Sequence, residues 1–210
     1  MRRPQRATIL PLPILLVAAL AQAQSDPWAT LDAVRDSLVA AGPTQAAFSQ
    51  TYVPAGFSSG ETESGTMALS LPDCLRWDYR KPYAKTFLLC GEVAHYWNAE
   101  DRAGRRYTID REEEPGLDLL LLGVEELKTR YRATQKRAAN GRVEIELVPR
   151  RRVETIAAAS LLVDPAADRL VGLSYRDREG NATRFAISDY RRLSGDSTFD
   201  PPRGVRFQEQ

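Results

Sequence analysis

The chain has 210 residues, with 29 Lys and Arg against 28 Asp and Glu. That near balance leaves no electrostatic footprint for nucleic acid, and the length suits one domain with room for a substantial core.

Residues 1–23 read as a cleaved secretory signal. Arg2, Arg3 and Arg6 form a positive start, Ile9 to Leu20 is apolar apart from Pro11 and Pro13, and Ala21-Gln22-Ala23 supplies small residues for cleavage. The apolar run falls short of the roughly 20 residues that span a bilayer; an uncleaved interfacial helix is the alternative. Losing those three Arg leaves 26 basic against 28 acidic residues, about −2 for the mature chain. No Cys stands near the cleavage point, so the mature product, 24–210, is expected as one soluble, monomeric, periplasmic domain without a lipid tether.

The mature chain opens on a helix. Asp26 caps it, Pro27 suits the first position, and Trp28, Leu31, Val34, Leu38 and Ala41 share a stripe. Gly42-Pro43 stops it. Strand-like runs follow at 45–53, 65–71, 74–79, 85–90, 93–98 and 105–110. Residues 114–123, with Leu117, Leu119, Leu120, Leu121 and Leu122, read as a short buried helix. Strands resume at 129–136 and 142–148 around an Asn140-Gly141 turn, where both residues tolerate positive φ. Further strands are expected at 156–163, 170–176 and 182–188. The regular hairpin spacing predicts one large antiparallel sheet.

One hairpin can be read to its register. With Pro82 in the turn, Trp77 opposes Phe87, Leu75 opposes Leu89, and Cys74 opposes Cys90, the chain's only cysteine pair. Opposed residues stand close enough for a disulfide, and an exported protein meets an oxidising compartment. Two buried thiols or a reactive pair are the alternatives, and the spacing is not C-x-x-C. Alternation places the bond with Arg76 and Asp78, opposite the face of Leu75, Trp77 and Tyr79.

Phe48-Ser49-Gln50, Gly65-Thr66-Met67-Ala68-Leu69, the run Arg76 to Tyr83, Trp97, and the segments 177–183 and 199–205 together resemble the periplasmic outer-membrane lipoprotein carrier family, LolA. The resemblance implies a mainly β fold with short helices: an incomplete antiparallel barrel around a hydrophobic cavity, under a helical lid. It also implies a carrier that takes acylated lipoprotein from an inner-membrane exporter and passes it to an outer-membrane receptor. The family's lid-holding Arg stands before the Pro that ends the second strand; here Leu71 precedes Pro72, with Arg76 nearby, which opens the cargo to other acylated lipids.

On that fold the expected cavity lining is Phe48, Met67, Leu69, Leu75, Trp77, Phe87 and Leu89, and the expected lid is Leu117 and Leu119 to Leu122. Ordinary core packing is the alternative role for each. The basic stretches 128–137 and 150–152 are interleaved with Glu125, Glu126, Glu144 and Glu146 and read as solvated surface. No cofactor and no enzyme activity are expected: His95, the only His, fits a strand beside Tyr96 and Trp97, the acidic run 110–114 reads as a solvated loop, and no catalytic motif is visible. A protein-binding sensor module on the same fold is the competing function.

Overall fold

The computed structural model describes residues 26–209 apart from 99, 101, 110–115, 122, 152–154 and 195. The expected leader, the acidic run 110–114, Leu122 and Arg152 lie outside the described residues. Helix α1 spans Pro27–Ala41. Its first turn is closed by Trp28 N–H donating to Asp26 Oδ1 at 3.0 Å, and it ends where Gly42 adopts φ 69°, a conformation glycine reaches without strain.

The strands are β1 Thr44–Val53, β2 Glu61–Ser70, β3 Cys74–Lys81, β4 Lys85–Cys90, β5 Val93–Asn98 and β6 Ala103–Thr108. Two helices follow, α2 Leu117–Leu121 and α3 Val124–Arg130. Then come β7 Tyr131–Arg137, β8 Val143–Pro149, β9 Ile156–Asp164, β10 Arg169–Asp177, β11 Ala182–Arg192 and β12 Arg206–Glu209. All the strands join one open sheet in the order β12-β6-β5-β4-β3-β2-β1-β11-β10-β9-β8-β7. Every pairing is antiparallel except β12 against β6. The chain therefore starts mid-sheet at β1, builds outward to β6, crosses to the opposite edge at β7 through α2 and α3, and returns to close on β1 with β11.

The expected hairpin register is the observed one. Cys74 opposes Cys90, Leu75 opposes Leu89, and Trp77 opposes Phe87. The two cysteines form a disulfide with a Cα separation of 4.2 Å. Closing its loop of separation 16 contributes about 3 kcal/mol in the chain-entropy picture.

Several boundaries differ from the sequence reading, each for a physical reason. Residues 114–123 are not one helix. Gly123 separates α2 from α3, and its N–H donates to Glu126 Oε2 at 2.9 Å, which caps the second helix. Thr129 and Arg130 belong to α3, so β7 starts at Tyr131. The first polar residues of β2 are held by the ladder to β1, where Thr51 and Thr62 hydroxyls meet at 3.0 Å, and by Lys85 pairing with Glu63 at 2.6 Å. β6 begins at Ala103, paired with Asn98, and Ile109, just past its end, still donates its N–H to Glu92 O at 2.9 Å while its side chain enters the core. The 138–142 turn is longer than two residues, since the last pair is Arg137 with Val143. Asn140 and Gly141 take φ 59° and 74° within it, the positive values their identities favour. β11 runs on to Arg192 past Asp189 at φ 54°, and its ladder with β1 shifts register between Gln45 and Ala47.

Each face of the sheet carries its own cover. One face holds a continuous apolar core contributed by the strands, α1, α2 and α3; these helices form a roof. The opposite face, over β3 to β5, is crossed by the C-terminal segment as a strap. Leu193 N–H donates to Pro43 O at 2.8 Å and Arg76 Nη1 donates to Thr198 O at 2.7 Å. Phe207 then packs edge-on to His95 and Trp97 at 4.9 and 6.0 Å between ring centres. Arg106 on β6 pairs with Glu209 on β12 at 2.8 Å.

Candidate functional site

The ladder sets the rows of the apolar face. Met67, Trp77 and Phe87 are consecutive partners across β2, β3 and β4, and Leu69, Leu75 and Leu89 form the next row. Phe48 opposes Gly65, two residues before Met67, and joins the same face. All seven residues expected to line a cavity thus share one wall, and all but the half-buried Phe87 are buried. Phe48 meets Tyr79 edge-on at 5.0 Å. The Tyr79 hydroxyl donates to Gln50 Oε1 at 2.7 Å, and burial, with Glu63 nearby, pushes its pKa up.

Beneath the roof lies a cavity of about 60 Å³. Leu31, Val34, Arg35 and Leu38 of α1 line it, with Leu119, Leu120, Val124 and Leu127 of α2 and α3 above the sheet residues Met67, Leu69, Leu161, Leu170, Ile187 and Tyr190, and with Leu71 beside them. Met67 on β2 and Leu161 on β9 belong to strands four places apart in the sheet, about 19 Å at the usual strand spacing. One small cavity touches both only because the sheet curls, so this face is its concave side.

The sequence-derived residues divide at this cavity. Met67, Leu69, Leu119 and Leu120 line it; Phe48, Leu75, Trp77, Phe87 and Leu89 pack in the core outside it. Leu121 is buried in the same core, Leu117 lies within α2, and Leu122 lies outside the described residues. Sequence reasoning missed the contribution of α1. Its stripe was visible at Leu31, Val34 and Leu38, but nothing local tells whether a stripe meets a core or a void.

Two polar groups face the cavity. The Tyr190 hydroxyl donates to Leu170 O at 2.7 Å, and burial raises its pKa to about 12, partly opposed by Arg169, whose guanidinium lies 4.8 Å from the ring centre. Arg35 Nη2 donates to Leu121 O at 3.2 Å, tying α1 to the end of α2. Arg76 takes no part here. It points to the opposite face, forks onto Asp78 at 2.9–3.0 Å through Nε and Nη2, and holds the strap. The disulfide lies on that polar face too, with Cys90 Sγ 4.0 Å from Phe199 O.

A curled antiparallel sheet, open at its edges and roofed by short helices over an apolar wall, matches a known architecture. The family model described as "Outer membrane lipoprotein carrier protein LolA" matches residues 41–200. The chain belongs to the LolA family. An outer-membrane lipoprotein carrier protein of Methylococcus capsulatus is 25% identical over 201 residues, covering 94% of each chain. Among solved structures, an uncharacterized conserved protein from Thermus thermophilus superposes with a TM-score of 0.56 at 13% identity, over 87% of this chain and 98% of that one. A LolA-superfamily protein of Nitrosomonas europaea gives a TM-score of 0.46 at 8% identity, over 81% and 94%. Within this LolA chain the described residues include no helix long and apolar enough to cross a membrane.

Proposed function

We propose that this protein is a periplasmic carrier that shields the acyl chains of lipoproteins, or of a related lipid, and delivers them toward the outer membrane. Residues 1–23 direct export, the mature domain 24–210 acts as a monomer, an inner-membrane exporter loads it and an outer-membrane receptor unloads it. The observation that carries this reading is the apolar curved wall beneath a roof of separate short helices. Exposing an acyl chain to water costs about 0.8 kcal/mol per CH₂, so a sixteen-carbon chain costs roughly 12 kcal/mol. A carrier must supply an equal apolar surface.

The cavity beneath the roof, about 60 Å³, has room for a few waters, far less than a hydrocarbon tail. Loading therefore displaces the roof. Leu119, Leu120, Val124 and Leu127 meet the wall through apolar packing, and such contacts exchange for methylene contacts at little net cost because they are non-directional. Unloading needs no bond chemistry, only an acceptor that binds the cargo or the open roof more tightly.

The test is a titration of the mature chain with a fluorescent acyl probe, followed by tryptophan emission, beside mass spectrometry of lipid that co-purifies from native membranes. Saturable binding at micromolar probe or stoichiometric extracted lipid is expected. A protein that does neither is not a carrier.

A further inference from the structure

The outer face of the sheet is covered only in part. The strap crosses it over β3 to β5, whereas across β8 to β11 a trough of about 270 Å³ stands open. Glu146, Ser160, Ser174 and Arg184 are successive ladder partners and form one row of its lining. Ala158, Arg176 and Ala182 form the next row, with Val148 at its β8 end. Leu147, Ala159 and Tyr175, between the rows, turn into the core, so both rows stand on the outer face. The floor is thus made of small side chains, and the arginines rise from β10 and β11. Their charge is unanswered. Glu146, the lining carboxylate, pairs with Lys136. Arg176 Nη1 donates to Gly180 O at 2.8 Å and meets no carboxylate, and neither Arg184 nor the Ser174 hydroxyl has a partner among the described residues.

We infer that this trough docks an acidic segment of a partner protein, with carboxylates on Arg176 and Arg184 and an apolar side chain against Val148. Arg184 stands opposite Ser174 and diagonal to Arg176, at the roughly 7–8 Å between diagonal neighbours, so two neighbouring carboxylates can be met at once. The guanidinium fork matches a carboxylate, and the Ser174 hydroxyl adds a donor beside it. Val148, 51% exposed, supplies the apolar contact at the other end, and the small floor lets a partner backbone approach closely. Arginine next to apolar surface is the composition of an interface anchor, and unanswered positive charge steers an acidic partner onto it. A bilayer fits less well: membrane attachment takes a larger cluster of cations or an inserted chain, and a planar surface does not reach a floor beneath two raised arginines. The trough lies opposite the apolar wall, so a partner held there leaves the roof free to move. The inference stands on the outer face alone and goes beyond the carrier reading.

The test titrates the mature chain at low salt with a short fluorescein-labelled peptide rich in glutamate and carrying one leucine, read by anisotropy, beside the same peptide with glutamine for glutamate. The glutamate peptide is expected to bind about tenfold more tightly, with amide shifts clustered at 146–148, 158–160, 174–176 and 182–184. Arg184→Glu and Arg176→Glu should each abolish that preference, while Arg203→Glu, the same charge change on the exposed strap, should keep it. Equal loss in all three variants, or shifts scattered over other surface cations, means diffuse attraction and overturns the inference, as does a wild type without the preference. Dimerisation in sedimentation that Arg184→Glu abolishes assigns the trough to a second copy, and binding to phosphatidylglycerol vesicles that it abolishes assigns the trough to a bilayer; either result also overturns the inference. Acyl-probe titration of the same variants reads the carrier function separately, since Arg176 and Arg184 stand on the outer face.

Discussion

The helical roof and the C-terminal strap cover opposite faces of the same sheet by different physics. The roof touches its wall chiefly through leucines, valine and methionine, with Thr30 Oγ1 on α1 donating to Gln135 Oε1 on β7 at 3.1 Å as a polar tie, while the bond from Arg35 to Leu121 O joins two helices of the roof itself. The strap is held by directional groups: Arg76 bridges Asp78 and Thr198 O, Thr86 Oγ1 donates to Asp78 Oδ1 at 2.8 Å, and Arg106 pairs with Glu209. Directional bonds fix one geometry, because leaving a buried partner unmade is costly. Apolar contacts tolerate substitution of one hydrocarbon for another. The molecule keeps its exchangeable surface on the side that a lipid would enter and its fixed surface on the other, with the disulfide.

The largest expected effect breaks the fixed side. Arg76→Met leaves Asp78, 26% exposed, without its guanidinium and should lower unfolding free energy by about 2 kcal/mol, measured by urea denaturation. Amide exchange should quicken in 196–209 and stay slow in α1. Equal quickening on both faces would mean that the two covers are one cooperative unit. On the roof, Leu120→Ala trims a half-buried leucine that lines the cavity and should cost only about 1 kcal/mol, while acyl-probe association speeds several-fold in stopped flow. A slower association would place the roof outside the entry route.

The smallest effect is a pH dependence of the strap. His95 sits against Phe207, and its pKa is lowered by burial and by Arg106, with Glu209 acting in the opposite sense. A base whose folded pKa is depressed binds fewer protons folded than unfolded, so stability is lost as pH falls through the histidine's ordinary value near 6.5. Protection factors at 206–209, corrected for the intrinsic pH dependence of amide exchange, should fall modestly from pH 7 to pH 5, and His95→Asn should flatten that fall.

The β3–β4 hairpin was legible to the residue, because alternation on both strands and a cysteine at each outer end admit one register. The rest was hidden where a segment is too short to show a period. α3 buries only Val124 and Leu127, a single i, i+3 pair that strand propensity downstream outweighed. β12 contributes one aromatic in four residues. Its trace lies on its neighbour: a Cβ on Gly104 would stand 2.6 Å from the Phe207 ring, so the glycine marks a close approach that only the folded chain reveals. The cavity was half legible. Strand alternation assigns residues to a wall, but where packing leaves space depends on how helices distant in sequence settle upon it. Arg35, on the polar flank of its stripe, gave no local sign of facing inward.

The route of the chain from β6 to β7 has a mechanical consequence. A flap hinged at one end swings clear of whatever enters beneath it; a handle attached to both rims of a bowl cannot. On the carrier reading, cargo that lifted α2 and α3 would act on a segment joined in the chain to β6, beside one edge of the sheet, and to β7 at the other, so that filling would be geared to the width of the bowl. A receptor that merely pinches the rims closer would then help to expel the load without touching it.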